Sequence, residues 1–388
     1  MDQSNKILIA LVRSGITGEP LTEQIKATIN EESLKGVYDA ARVHALTHLA
    51  AHGLYKNGLL TAQDGICGQF RQSNLVAILR HETMQHEIGR MYALFEECAI
   101  PFLPLKGAVI RGYYPEPWMR TSGDVDILVH PEDLERAIEA LCSKLGYTLK
   151  SRDSYDVSLY SPSGVYLELH FALMEKRFEA SRYLETVWQN ATPVAQGSFR
   201  YAMTDDLFYF HQVVHLAKHF VTSGCGIRLF MDLWVLNHHK DFRPTGICAD
   251  YLKDVGLVKL EEQARALSEV WFSGENHSAL SAQVEDYVLD SGIYGTVKNA
   301  VTTGQLHTGG KGSYILSRIF LPYDRIREYY PILHEKKYLT PVYQVKRWLS
   351  VIGEGRLRRS AREFTTSMQT EPDLRDNIRD MMTKLELY

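Results

Sequence analysis

Leu103-Pro-Leu-Lys-Gly-Ala-Val-Ile-Arg111, followed shortly by Arg120-Thr-Ser-Gly-Asp-Val-Asp-Ile-Leu-Val129, decides how this chain reads. The second segment predicts a strand with polar residues pinned inside it. Residues two apart on a strand point to the same face, so Asp124 and Asp126 stand side by side, about 6.6 Å apart along the backbone. Val125, Ile127 and Val129 point the other way, into a core. Two neighbouring carboxylates repel by roughly 1 kcal/mol at 4 Å in water and more near a protein surface. A fold tolerates that most readily with a cation between them, and oxygen ligands of this kind suit Mg²⁺, which is usually held by one or two carboxylates plus substrate phosphates. Because repulsion would be relieved, Asp126→Asn is expected to cost little stability.

A third acid lies on the later segment Val165-Tyr-Leu-Glu-Leu-His-Phe171. Glu168 stands among apolar neighbours. If this strand pairs beside the aspartate strand, Asp124, Asp126 and Glu168 form a cluster able to hold two ions that clamp an in-line phosphoryl displacement.

Working outward, residues 1–99 read as helical, 100–200 as an α/β core with a mixed sheet, and 201–388 as helical again. The apolar periodicity predicts a long helix over 73–99 with Ser73 as its N-cap and Leu75, Ile78, Leu79, Ile88, Met91, Tyr92 and Phe95 as its apolar stripe. It also predicts a helix over 132–145 ending at Gly146, a hairpin of 157–160 with 165–171, and helices over 205–222 and 227–239. The fold class expected is α+β, a small mixed-sheet core with helical additions on both sides.

The chain of 388 residues is 45% hydrophobic and 23% charged, with a net charge of −4, which argues against disorder and against a global basic field for nucleic acid. Cys67, Cys98, Cys142, Cys225 and Cys248 are odd in number and lack CxxC spacing, so neither a disulfide scaffold nor a cysteine zinc site is expected. The apolar run near the start is too short for a signal or a membrane span. A cytoplasmic protein with no membrane partner is expected.

The glycine turn, the Asp-x-Asp strand and the later acid together resemble the nucleotidyltransferase superfamily that includes DNA polymerase beta. Leu-Lys-Gly, Arg-x-x-Gly-Asp-Val-Asp-Ile-Leu-Val and Leu-Glu-Leu-His resemble its bacterial branch of uncharacterised nucleotidyltransferases. The resemblance implies Mg²⁺-dependent transfer of a nucleoside monophosphate from an NTP to an acceptor hydroxyl, with Mn²⁺ as an alternative ion and pyrophosphate released. It implies that Asp124, Asp126 and Glu168 hold the metals and carry catalysis. Gly107 would let the backbone approach the triphosphate, with the amides of the following helix binding it. Lys106, Arg111, Arg120, Ser122 and Gly123 are the candidate phosphate partners. Gly107 is followed by Ala108, where the superfamily usually has Gly or Ser. The acceptor (protein, tRNA or small molecule), the preferred base and the oligomeric state are not written in the sequence.

His211, His215 and His219 recur at i, i+4, i+8 and share one helix face; Arg228 and Asp232 are one turn apart and expected to pair. In the family resembled, a similar helix lies behind the core, so His215, Arg228 and Asp232 are expected across the cleft from Asp124. Two rival readings are carried forward: a non-catalytic nucleotide-binding or antitoxin-like protein, and a zinc hydrolase built on the His211 helix. Two look-alikes are set aside. His81 and His86 lie about 140° apart on a helix and cannot share a metal readily. The glycine-rich stretch 304–313 has the wrong spacing for a phosphate loop. The basic residues Lys346, Arg347 and 356–362 read as a solvated face.

Overall fold

The computed structural model describes residues 1–61, 63–175, 178–293, 295–353, 365–367 and 372–387. The basic run 356–362 lies outside the described residues.

Four helices open the chain: α1 (Gln3–Thr17), α2 (Glu23–Lys26), α3 (Glu31–Val43) and α4 (Thr47–Lys56). A 33-residue helix, α5 (Gly65–Glu97), leads into the core. The helix expected from Ser73 thus begins a little over two turns earlier. Ser73 is inside it and spends its hydroxyl on the Gln69 carbonyl at 2.9 Å instead of capping. Leu75 and Leu79 are each 67% exposed, so the apolar stripe does not run through them. The later part of the stripe holds, with Ile88, Met91 and Phe95 buried under the sheet beside Met84, while Ile66, Cys67 and Phe70 bury the start of the helix in the other core.

The sheet consists of β1 (Phe102–Pro104), β2 (Asp124–Val129), β3 (Thr148–Arg152), β4 (Asp156–Tyr160) and β5 (Tyr166–His170), in the order β1-β2-β5-β4-β3. β2 and β5 run parallel; the other neighbours are antiparallel. A parallel pair needs a crossover. Here α7 (Leu134–Leu145) and the β3–β4 hairpin supply it, the short α6 (Lys106–Ile110) lying before β2. Gly146 ends α7 with φ +72°, a left-handed cap that an L side chain adopts only with strain. Pro104 sits on an edge strand, the place a missing N–H is tolerated. The opposite edge, β3, is exposed along its length, carries Lys150 and Arg152 and is bulged, features that discourage further pairing.

Alternation splits the central strands. Val125, Ile127, Val129, Leu167 and Leu169 bury against α5 and α7. Asp124, Asp126, Glu168 and His170 fall on the opposite face. Beyond the short α8 (Ser181–Leu184) and a two-stranded hairpin, α9 (Asp205–Thr222) and α10 (Ile227–His238) follow at the positions expected. Gly224 makes the turn between them possible: its φ is +86°, and a Cβ there would press on the Ser291 side chain, whose Cβ would be 2.7 Å away. α9, α10 and the helices within 246–291 and 372–384 pack with α1, α3 and α4 in a second core. Among the described residues no helix is long and apolar enough to cross a membrane. The five cysteines are all free.

Helices α1 and α4 cross so closely that a Cβ on Gly53 would strike the backbone carbonyl of Leu11, whereas one on Gly89, in the middle of α5, meets nothing within 4 Å. Alanine ordinarily stabilises a helix relative to glycine by about 0.5–1 kcal/mol. Gly89→Ala should follow that rule. Gly53→Ala should invert it, losing about 1–3 kcal/mol to overpacking. Urea unfolding of the two variants, measured side by side, checks the crossing.

Candidate active site

The β2–β5 register sets Asp126 directly opposite Glu168 and Asp124 opposite Tyr166. Ligand atoms of Asp126, Glu168 and His170 all lie within 4.8 Å of one another. This is where the structure departs from the expected trio. Asp124 shares the face and feels both other acids, but the tight group contains His170 in its place. The alternation that picked out Asp124 and Asp126 applies equally to Glu168 and His170, so the signal for His170 was present in Leu-Glu-Leu-His.

Asp126 is 4% exposed and is compensated twice at one oxygen. Lys106 Nζ donates to Oδ1 at 2.8 Å and His170 Nε2 donates to the same atom at 2.9 Å. His170 Nε2 also lies 3.6 Å from Glu168 Oε2. Burial alone would raise the Asp126 carboxyl, but Lys106 and His170 override it and hold it well below the usual carboxylate range. For Asp124 burial and the charges of Asp126 and Glu168 act together and push its carboxyl up. The two neighbouring aspartates are therefore driven apart. His170 is raised: burial opposes the charge, and Asp126 and Glu168 outweigh it. Asp156, opposite His170 in the register, is a fourth acid on this face, raised chiefly by burial. Lys106 reaches the cluster from a left-handed backbone, φ +40°, at the first residue of α6. A non-glycine residue there costs on the order of 1 kcal/mol, and such strain is commonest at functional sites.

Gly107 also serves the packing of the site. It lies inside a helix of only five residues, and a Cβ on it would come within 3.3 Å of Ser122 Cβ. Its lack of a side chain lets the Ser122–Gly123 segment lie against α6. Arg111 fastens that contact. Its Nε donates to the Gly107 carbonyl at 2.7 Å and its Nη2 to Ser122 Oγ at 2.8 Å, while Ser122 donates to the Asp124 carbonyl at 2.9 Å. Arg111 is 3% exposed and has no carboxylate partner among the described residues. Burial, aided by Arg120, lowers it to about 10.

Arg120, expected at the phosphates, is paired within the protein. Its Nε and Nη2 grip the two oxygens of Asp232 at 2.7 and 2.8 Å, Nη1 donates to the Thr121 carbonyl, and Tyr114 adds a 2.6 Å bond to Asp232. Asp232, expected to pair with Arg228 on its own helix, thus pins the loop to α10. Arg228 Nη1 donates to the Thr121 carbonyl at 3.1 Å. From the other side, His48 of α4 bonds the Met119 carbonyl at 2.9 Å. The loop that delivers Ser122, Gly123 and Asp124 is held from both flanking helical regions.

The histidine helix faces the cluster. His211 is 3% exposed and lowered to about 3, first by burial and then by Lys106. His215 is lowered well below the ordinary range for the same reasons, and His219 falls to about 4. All three are neutral at pH 7. His215 and His219 contact each other, with ring centroids 4.5 Å apart. Among the described residues none of the three joins a metal-ligating group.

Residues 30–273 match the family described as uncharacterised nucleotidyltransferase. The chain belongs to that family. No curated protein matches it. It is also similar to a solved structure whose title reads "Solution Structure of Antibiotic-Resistance Factor ANT(2'')-Ia Reveals Substrate-Regulated Conformation Dynamics", at 14% identity, over 50% of this chain and 95% of that one, with a TM-score of 0.32. Family membership makes this nucleotidyltransferase an α+β transferase whose substrate is a nucleotide.

Two outcomes follow from the clamp and from His48. Asp232→Asn leaves Arg120 buried without a counter-charge and should cost about 3–5 kcal/mol in urea unfolding. His48 is lowered from 6.5 to about 4, mainly by burial. Between those values the unfolded chain binds a proton that the native one does not, so stability rises with pH. Its contribution is intact above pH 6.5 and is lost as pH falls toward 4. Between pH 7 and pH 5 that loss should be about 2 kcal/mol. His48→Gln, which keeps a donor for Met119 but cannot titrate, should show a correspondingly shallower pH dependence.

Proposed function

We propose that this nucleotidyltransferase moves a nucleoside monophosphate from an NTP to an acceptor hydroxyl and releases pyrophosphate, using a divalent cation. The observation that carries the reading is the parallel pairing that sets Glu168 opposite Asp126, with Asp124 two residues away on the same face. Three carboxylates on one face are a donor set suited to Mg²⁺. His170 adds an imidazole nitrogen, which widens the fit to Mn²⁺. The residues therefore suit the ion: Asp124, Asp126 and Glu168 would hold it, with His170 beside them, and Lys106 is a cation already drawn to this carboxylate. A divalent ion bound there would neutralise charge on the phosphates and polarise the reacting phosphorus.

The protein's own groups supply the rest. Glu168, the most accessible member of the tight group, accepts the proton of the attacking hydroxyl. His170 holds Asp126 in orientation. Lys106, bonded to Asp126 at the edge of the acid row, is the cation that would meet the phosphates of a bound NTP. Arg111 and Ser122, with Gly123, face the leaving phosphates; Arg120 and Asp232 position them without touching substrate. The neutral face of His211 and His215 closes the cleft and limits water as a competing acceptor.

Asp124 and Asp126 separate chemistry from stability. Both Asp→Asn changes should abolish NTP-dependent pyrophosphate release, as should EDTA, with recovery on added Mg²⁺ or Mn²⁺. Asp124→Asn removes a carboxyl already raised by its neighbours and should not lower the melting temperature. Asp126→Asn strips Lys106 and His170 of their partner and should cost about 3 kcal/mol, contrary to the expectation from repulsion alone. Binding of NTP without any pyrophosphate release in the native protein would instead favour a non-catalytic nucleotide-binding role.

A further inference from the structure

The row of acids on β2 lies between two cavities of opposite character. Before Asp124, Ser122 and Gly123 open on a cavity of about 480 Å³ lined by Arg80, Arg111 and Arg228, with Arg120, already held by Asp232, in its wall and no carboxylate among its described lining residues. Arg80 comes from α5, far in sequence from the motifs. After Asp126, Leu128 opens on a cavity of about 800 Å³ walled by Tyr155, Phe171, Trp188, Met174 and Leu184. Asp124, Asp126 and Leu128 share one face, and from Gly123 to Leu128 the strand spans about 16 Å. The second cavity also comes within one ring of the cluster. Tyr155 stacks near His170 at 6.1 Å between centroids, and His170 bonds Asp126.

In-line displacement fixes which cavity serves which substrate. The attacking oxygen and the departing pyrophosphate lie on opposite sides of the α-phosphorus. The arginine cavity fits the polyanion. A buried guanidinium with no carboxylate partner among the described residues, as Arg111 is with its bonds to Gly107 and Ser122, is most readily stabilised by a bound anion. The acceptor must then approach from the other end of the acid row. That end offers aromatic and aliphatic walls, and its charged lining of Glu175, Glu185 and Arg327 is not a site for a second polyanion. Its volume lies within the range of small-molecule sites.

Building on the transferase reading above, we infer that the acceptor is a small molecule bearing its hydroxyl on a neutral aromatic body, bound in the cavity between Leu128 and Trp188. Its hydroxyl oxygen bonds to the α-phosphorus as the bond from that phosphorus to the bridging oxygen breaks. The electron pair leaves with pyrophosphate toward the arginines, and the proton passes to Glu168 and then to solvent.

Pyrophosphate release from each NTP, with Mg²⁺ and one of three acceptors, tests this: N-acetyltyrosinamide, glycerol, or ribose phosphate. Mass spectrometry identifies the product. N-acetyltyrosinamide should be the best acceptor and yield a phosphodiester to NMP. Trp188→Ala should raise its KM about tenfold with a smaller effect on kcat, the mark of lost binding. Met174→Gln, a change of polarity at similar volume, should act in the same direction and serves if the tryptophan variant does not fold. Preference for ribose phosphate or glycerol, or an unchanged KM in the folded variants, would overturn the assignment while leaving the transferase reading standing. No pyrophosphate from any NTP, with or without acceptor, would overturn the transferase reading and this inference with it.

Discussion

Burying a carboxylate in the middle of a sheet is costly unless its charge is met, and the structure is organised around meeting it at Asp126. Lys106 and His170 converge on a single oxygen of that side chain. Each arrives from a different element: Lys106 from the strained start of α6, His170 from β5. Pairing β2 with β5 is thus an electrostatic arrangement as much as a hydrogen-bond ladder. A one-residue slip in register would turn Glu168 and His170 into the apolar core and leave Asp126 without its histidine. The apolar residues of the same strands, packed under α5 and α7, forbid that slip from the other side.

The loop between α6 and β2 is the second element on which the site depends. It has little regular structure of its own, yet it carries Ser122 and Gly123 to the acids. Its shape comes from outside: Asp232 on α10 holds Arg120, His48 on α4 holds the Met119 carbonyl, and Arg111 ties Ser122 to Gly107. A buried arginine–aspartate pair contributes less to net stability than its geometry suggests, because both ions are desolvated. Its value here is positional. The helical regions before and after the sheet are thereby part of the site's construction, although neither contributes a carboxylate to it.

Period-2 alternation was enough to read the acid face. Asp124 and Asp126 could be assigned to one side of a strand because a strand has only two faces; that Glu168 joins them depended on β5 pairing beside β2 in this register. The same rule reached the α9 and α10 helices through their period of 3.6. Arg120 and Arg80 were beyond it. Arg120 lies four residues before an acid, and nothing in that spacing shows that Asp232, 112 residues later, takes the Nε–Nη2 edge of its guanidinium. Arg80 is an ordinary charged residue on a helix, and only the packing of α5 beside the loop brings it to a cavity wall.

The sequence by itself determined the strand that bears the acids, the family, and the class of chemistry, because local alternation and a short motif place like charges where only a cation or a phosphate makes sense of them. The tertiary structure decided the partners. Whether Lys106 meets phosphate or Asp126, whether Asp232 holds Arg228 or Arg120, and which cavity lies at each end of the acid row depend on segments that come together across the whole chain. Charge in a buried site is settled by distance and desolvation, and neither is a property of neighbours in sequence.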